Sequence, residues 1–358
     1  MIIILTKEVN CITSNNYCKV DGKRFDVLKI VLAIFIVVIH TTPLSISVLP
    51  LFRLAVPVFF ILSSYLFFSK QVRLLNEEEK TYALRRFINR YLKLYFFWFL
   101  ILLPVTVIIR KWYVNPGFDT ILSIFQCFLF GSTFRASWFL MAALIAIVFV
   151  WYFSKWINEK WLFFLGIVFY LFCCITSNYY SLLEKSDMMI DFYEQYKSIM
   201  FAPYNSFPVA FLFVMFGKIL AERSMSIPQH FLFVLLIVSL LLLCSEYCLI
   251  KKYTLSIADD SYFFLVPSSL FAFMFIGQSR WTFKTDTREM RKASTIIYCC
   301  HASYASIVNF FLEQRDLESQ YLYYVIWFII TLLVSFLTAA IILRLEKHPY
   351  CGFLKFAH

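Results

Sequence analysis

Charge is what this chain has least of. Of its 358 residues only 15% are charged, while 61% are hydrophobic and 20% aromatic, and the mean hydropathy is +0.74. Water-soluble domains carry about 25% charged and roughly 45–50% apolar residues. No long polar block is present to form a separate soluble domain, so the composition points to a polytopic membrane protein. Metal-binding spacings are missing as well. The ten cysteines include no CxxC, and the adjacent pairs Cys173–Cys174 and Cys299–Cys300 sit inside apolar runs as small packing residues, not as a disulfide framework. None of the five histidines has HExxH spacing, which argues against a metal site. The opening "MIIILTKEVNCITSNNYC" has too short an apolar run for a secretory signal. The first spanning helix is therefore expected to serve as an uncleaved insertion signal.

Apolar runs are what fills the sequence. Ten stand out, at 27–46, 50–68, 92–109, 137–154, 161–177, 205–221, 231–250, 262–278, 293–312 and 321–343. Each approaches the roughly 20 residues that cross a bilayer. Residues 118–131 are shorter than a usual span and are expected to lie at the interface or re-enter, with an eleventh crossing there the open alternative that the charge distribution disfavours. With ten crossings and the N-terminus inside, 24 of the 33 basic residues fall on the cytoplasmic side, eight outside, and Arg53 within a span. That bias matches the positive-inside rule, and it assigns the +11 net charge to membrane orientation in place of nucleic acid. The expected architecture is all-α, about ten transmembrane helices around a membrane-embedded cavity, with both termini cytoplasmic. Residues 1–24 form an N-terminal segment, 25–346 a single transmembrane domain and 347–358 a C-terminal tail.

Ionisable groups at bilayer depth are costly, so each calls for a partner or a purpose. In "FDVLKIVLAIFIVVIHTT", Lys29 and His40 are eleven residues apart. At 100° per residue that spacing is only about 20° from whole turns, so both project from one face, about 16 Å apart in rise. Lys29 alone reads as a snorkelling anchor, with Asp26 one turn earlier as its partner. His40 alone reads either as a packing hydrogen bond or as a proton-transfer group. Arg53 keeps its charge and so is expected to face the bundle interior or a wet cavity. Arg86, Arg90 and Lys93, at i, i+4 and i+7, form a cationic stripe at the mouth of the third span. It reads as positive-inside flanking or as a phosphate-binding edge. In "ASTIIYCCHASYASIVNFF", His301 stands at mid-depth with Tyr298 and Tyr304 one turn either side and Ser294 below. This polar stripe is expected to line a cavity. Glu246, near the end of the seventh run, is expected to reach the headgroups.

Together these residues resemble the bacterial acyltransferase-3 family, multi-spanning enzymes that O-acylate extracytoplasmic sugars. That family opens with Asp-x-x-Arg, then ten residues, then His; here Asp26, Lys29 and His40 hold those positions. Its second helix reads Arg-x-x-x-Pro-x-Phe-Phe-x-x-Ser-Gly-Tyr, against "RLAVPVFFILSSY" from Arg53 to Tyr65. "RRFINRYLKLYFFW", "SWFLMAALI", "FLFVMFGKIL" and "IIYCCH" follow in similar order, so the resemblance covers nearly the whole chain. Lys29 replaces an arginine and Ser64 a glycine. The resemblance implies His40 as the catalytic histidine, with Lys29, Arg53 and His301 in support. It also implies acyl-coenzyme A, usually acetyl-CoA, as cosubstrate, with no permanently bound cofactor. The acceptor would be a hydroxyl of a glycan or lipid-linked sugar, and the location the bacterial cytoplasmic membrane, among its lipids.

On this reading Arg86, Arg90 and Lys93 hold the coenzyme's phosphates and the pantetheine arm runs up the Lys29–His40 face. His40 acts as general base or as an acyl carrier, and Arg53 or His301 stabilises the oxyanion. Tyr298 joins His301 on the substrate-facing stripe. The long segment 177–205 is expected to touch the acceptor. Two rival functions remain open on the sequence. A sugar or lipid transporter predicts internal repeats, and none stands out between the halves. A glycosyltransferase predicts an acidic first outer loop, whereas "TTPLSISVLP" is short and uncharged.

Overall fold

Long apolar stretches without water at hand must satisfy their backbone internally, and this chain does so with helices. The computed structural model describes residues 22–42, 49–114, 116–130, 138–223, 227–253, 255–279, 281, 283–315 and 319–358. The expected N-terminal segment up to residue 21, residues 43–46 of the first apolar run, most of the "TTPLSISVLP" connection, Arg135 and Arg280 lie outside the described residues. In chain order the helices are α1 (Gly22–Thr41), α2 (Leu49–Phe52), α3 (Ala55–Val72), α4 (Glu77–Ile109), α5 (Phe118–Phe130), α6 (Trp138–Phe153) and α7 (Glu159–Thr176). They continue with α8 (Tyr180–Leu183), α9 (Asp187–Met200), α10 (Phe207–Glu222), α11 (Gln229–Lys252), α12 (Leu265–Gln278), α13 (Arg288–Glu313) and α14 (Gln320–Leu345). Short 3₁₀ turns cover Pro203–Asn205 and Pro349–Ala357. No strand occurs among the described residues.

The ten expected spans meet a more graded reality. Among the described residues, six helical stretches are long and apolar enough to cross a membrane by length and composition: Pro50–Val72, Glu77–Ile108, Glu159–Thr176, Gln229–Lys252, Arg288–Glu313 and Gln320–Leu345. The bent pair Asp187–Asn205 and Phe207–Glu222, turned by 40°, makes up to seven. α6 and α12 are apolar but only 16 and 14 residues long, roughly 24 and 21 Å at 1.5 Å per residue. α1 is 20 residues long but holds Lys23, Arg24, Asp26 and Lys29 near its start. α5, 13 residues and about 20 Å, is too short to cross. It is tied sideways instead, by Tyr95 Oη to the Phe128 carbonyl at 2.7 Å and by Gln126 Nε2 to the Ser198 carbonyl at 2.6 Å.

Ion pairs show how the helices are strung between two ends. At one end Lys155 meets Glu77 at 2.9 Å, Lys218 meets Glu222 at 2.5 Å, Arg223 meets Glu159, and Lys292 meets Glu346 at 2.5 Å. We call this the basic end. At the other, Arg53 meets Asp260 at 2.5 Å and Lys251 meets Asp259 at 2.7 Å. α1 and α13 both begin at the basic end and run parallel: Thr287 Oγ1 donates to Asp26 at 2.8 Å, and the His40 and His301 rings lie 5.1 Å apart fourteen residues further along both helices. α14 and α11 carry broad exposed apolar faces, with Leu333, Leu337, Leu241 and Val234 all more than half exposed. Such continuous apolar surface suits lipid and not water.

The C-terminal stretch, expected as a tail, is packed against the bundle. Trp98 Nε1 donates to the Ala357 carbonyl at 3.0 Å, and His358 Nε2 sits 2.5 Å from Glu346. Burial pushes the Glu346 carboxyl up, but hydrogen bonds from Lys292 and His358 outweigh it and hold the group below the usual glutamate range. Glu246 is also not where the sequence suggested. It is buried, accepting from Tyr179 Oη at 2.7 Å and from the Phe263 and Phe264 amides at 2.7 and 2.8 Å. Those amides open the approach to α12, so the carboxylate satisfies helix-terminal donors that would otherwise be stranded.

The tightest seam joins α3 to α10. A Cβ at Gly217 would stand 1.8 Å from Ser64 Oγ, 2.5 Å from the Ile61 carbonyl and 2.8 Å from the Tyr65 amide nitrogen. Ser64, at the position where the family pattern has glycine, fits because Gly217 faces it. Its hydroxyl turns back onto the Phe60 and Ile61 carbonyls at 2.9 and 3.0 Å. Small residues allow helix backbones to approach in this way. Gly217→Val should cost more than the roughly 1–3 kcal/mol typical of overpacking. The expected outcome is loss of monodisperse protein in detergent, and adding Ser64→Gly should not restore it, because the Ile61 and Tyr65 backbone stands in the way.

Candidate active site

Two cavities open within the bundle, one toward each end. The first, of about 620 Å³, lies at the basic end between α1, α3, α4, α6 and α13. Its wall carries Lys29, Lys70, Arg86, Arg90, Arg291 and His358, with Asp26 the one acidic side chain among the described lining residues. Asp26 is taken up by neighbours at the start of α13, receiving Thr287 Oγ1, just before the helix, at 2.8 Å and facing Arg291 within it at 3.9 Å. It therefore does not form the close pair with Lys29 that their i, i+3 spacing suggested, and acts on that ammonium from further away. Arg291 and His358 have carboxylate neighbours, but among the described residues Lys70, Arg86 and Arg90 form no ion pair, so the wall keeps an excess of positive charge of the kind that favours a polyanion.

Of the expected cationic stripe, Arg86 and Arg90 reach this wall and Lys93 does not. Lys93 is exposed and lies over the Phe356 ring, 5.3 Å from its centroid. The C-terminal stretch packs beside that face of α4, so the side chain is drawn over an aromatic ring on the outside of the bundle. The stripe is also no mere flank of a span. α4 is one 33-residue helix from Glu77, with Glu77, Glu78 and Glu79 in its first turn where the helix dipole favours them. Arg86 and Arg90 thus ride on a rigid element.

The second cavity, of about 350 Å³, is lined by His40, Arg53, Trp138, Tyr204, Asn205, Asp260 and Tyr298, with apolar neighbours including Ile36, Val56 and Pro57. Arg53 sits in the turn between α2 and α3, where its guanidinium meets Asp260 at 2.5 Å, as a permanently charged group at this depth requires. Asp260 is itself pinned. Asn178 Oδ1 accepts from the Asp260 and Ser261 amides at 3.1 Å each, and buried Asp259 next door holds Lys251. The segment 177–205 contributes Tyr204 and Asn205 to this wall.

His301 is fully buried behind His40. Its Nδ1 lies 2.7 Å from the Tyr298 carbonyl and 3.2 Å from that of Ile297. A nitrogen facing carbonyls must donate, so the neutral ring carries its proton on Nδ1 and presents a lone pair at Nε2. That buried Nε2 has no hydrogen-bond partner among the described residues. The polar stripe expected on this helix divides: Ser294 and Tyr298 face cavities, whereas Tyr304 Oη turns to Thr338 Oγ1 on α14 at 2.8 Å.

The structure thus brings Lys29, Arg86, Arg90 and Tyr298 to one cavity and His40, Arg53 and Tyr298 to the other, with His301 behind. Asp260, Arg291, Lys70 and the aromatic wall were not picked out from the sequence. The acidic pair in "IADDSYFF" was a usable signal, since carboxylates are scarce in this chain, outnumbered 33 to 22 by Lys and Arg.

The family model described as an acyltransferase domain matches residues 23–344. The chain belongs to the acyltransferase-3 family. An acyltransferase domain therefore fills most of its length, and all described lining residues of both cavities except Gly22 and His358 fall within it. A serine/alanine racemase from Enterococcus gallinarum is 24% identical over 324 residues, covering 87% of this chain and 45% of the racemase. The chain spans less than half the length of that curated relative. No solved structure matches it significantly.

Because Arg53 and Asp260 share a half-enclosed site, neither is cheap to neutralise alone. A double-mutant cycle with Arg53→Gln and Asp260→Asn, read by thermal unfolding in detergent, should give a coupling of about 1–3 kcal/mol. A coupling near zero would mean that water screens the pair.

Proposed function

We propose that this protein is a membrane O-acyltransferase that moves an acyl group, acetyl in the simplest case, from acyl-coenzyme A to a sugar hydroxyl. The observation that carries this reading is the pair of cavities of unlike chemistry, one lined by cations and one by His40 with Arg53, on opposite sides of Tyr298. Donor and acceptor in this scheme enter from opposite ends. The basic end faces the cytoplasm of a bacterial cell, in line with the charge bias, and the His40 cavity faces outward.

Coenzyme A carries a diphosphate and a 3′-phosphate, and Arg86, Arg90, Arg291 and Lys70 supply the matching charge in the basic cavity. The pantetheine arm lies along the Lys29–His40 face of α1, whose rise of roughly 16 Å accommodates an extended chain. In the second cavity Trp138 and Tyr204 offer flat apolar faces to a sugar ring, while Asn205 and Asp260 offer hydrogen-bonding edges.

His40 takes the proton of the acceptor hydroxyl as its oxygen attacks the thioester carbonyl. The new C–O bond forms, the C–S bond breaks, and His40 returns the proton to the departing sulfur, so the coenzyme leaves as its free thiol. Stabilisation of the oxyanion falls to Arg53. Neutral His301 has already committed its one N–H to backbone carbonyls and cannot donate a second. His301 serves instead to hold the neighbouring imidazole in place from behind.

His40→Ala, at wild-type protein level in cells, should reduce acylation of envelope glycans by at least about 100-fold, the scale of a lost general base. Mass spectrometry of released glycans checks this, and retained acylation removes His40 from the chemistry. Arg90→Gln should act differently, raising KM for acyl-CoA about tenfold while leaving kcat within a factor of two.

A further inference from the structure

Between the two cavities stands a single layer of aromatic side chains. Phe59 on α3, Phe139 on α6 and Tyr298 on α13 form a closed triangle, with ring centroids 5.9 Å apart for Phe59–Phe139, 5.3 Å for Phe139–Tyr298 and 6.1 Å for Phe59–Tyr298. These are contact distances for aromatic rings, and all three side chains are buried. Phe59 and Phe139 line the basic cavity, and among the described residues Tyr298 is the one that lines both. Trp138, next to Phe139 in the chain, already faces the His40 cavity, and so does Pro57, two residues before Phe59.

The geometry points to this aromatic triad as a septum that selects the acyl group by size and keeps the two half-cavities apart between turnovers. The inference rests on the function proposed above, with the donor on the basic side and the acceptor on the His40 side. The thioester carbonyl must come within reach of a hydroxyl held beside His40, so the acyl end of the donor has to pass into the triangle and push a ring aside. A two-carbon group asks for a small displacement. Each further methylene must find volume among three rings fixed by helices on three sides, in a core packed too closely to yield continuously. Discrimination by one methylene in such an apolar slot reaches about tenfold or more. When no acyl group is inserted the rings meet, and the aqueous spaces at the two ends of the bundle do not join. A path through a membrane enzyme needs such a barrier if small solutes are not to leak along it.

The test uses the full chain in lipid nanodiscs, with acetyl-, butyryl- and hexanoyl-CoA as donors and, as acceptor, an envelope glycan extract from host cells in which the gene is deleted. Acyl esters are counted by mass spectrometry. Wild-type protein should transfer acetyl at least about tenfold faster than butyryl, with hexanoyl slower again. Phe139→Leu and Phe59→Leu, each widening the triangle, should raise the butyryl-to-acetyl ratio by about tenfold. The ratio is independent of the fraction of protein that is folded, so a poorly folding variant still gives a valid reading. Phe139→Trp, which narrows the slot, should depress acetyl transfer while leaving KM for acetyl-CoA within twofold. An unchanged ratio in both leucine variants, with wild-type acetyl transfer intact, overturns the septum and leaves the acyltransferase reading standing. Equal transfer of acetyl and hexanoyl by the wild type overturns it as well. Absence of transfer from every donor by the wild type overturns both.

Discussion

The parallel contact of α1 with α13 is the constraint on which the site depends. Asp26 binds Thr287 at the start of the pair, and fourteen residues along each helix His40 meets His301. Equal spacing on both partners means the helices stay in register for about 21 Å. Much of the chemistry lies along this seam: Lys29 and Arg291 toward its basic end, then Tyr298 one turn before His301, and the two imidazoles. A slip of one residue would rotate His40 by 100° away from its neighbour. The buried hydrogen bond at Asp26, in a setting where an unpaired carboxylate is costly, fixes the starting point of that register.

The remaining helices hold this seam open on one side only. α3 brings Arg53 and Phe59, and its own position is set by the close approach to α10 at Ser64 and Gly217. α4 brings Arg86 and Arg90 on a long rigid rod, and α6 places Trp138 and Phe139 back to back on the two cavities. α11 and α14 stand at the periphery with apolar faces outward, where they supply the lipid-facing wall. Division of labour of this kind explains how short helices such as α6 and α12 belong to a membrane bundle. Their neighbours, not their own length, carry the hydrophobic thickness.

Charge in this molecule is used in two distinct ways. Around the rims it is paired outside the apolar region, as with Lys155 and Glu77, or with Asp286, whose carboxyl is held down to about 2 by hydrogen bonds from the adjoining Arg288. Within the cavities it is left in excess of one sign, or balanced by a single half-buried partner such as Asp260. Rim pairs of that exposed kind contribute little to stability. The cavity charges are costly to enclose, and under the proposed function a donor of opposite charge would complete them.

What the sequence by itself determined was whatever depends on local period and composition. Apolar runs marked the helices, the eleven-residue spacing put Lys29 and His40 on one face, and the order of "DVLK…IH" and "RLAVPVFFILSSY" pointed to the family that the match over residues 23–344 establishes. Contacts between distant segments were decided by the tertiary structure alone. Asp260 reaches Arg53 across 207 positions of chain, and Glu246 turns inward because two amides approaching α12 need an acceptor there. Lys93 leaves the cationic stripe because a ring from residue 356 lies beside it. The aromatic triangle needs three helices to meet before it exists at all. Helical period is written in neighbouring residues, whereas the facing of one helix to another depends on packing partners hundreds of residues away, and no local pattern encodes that choice.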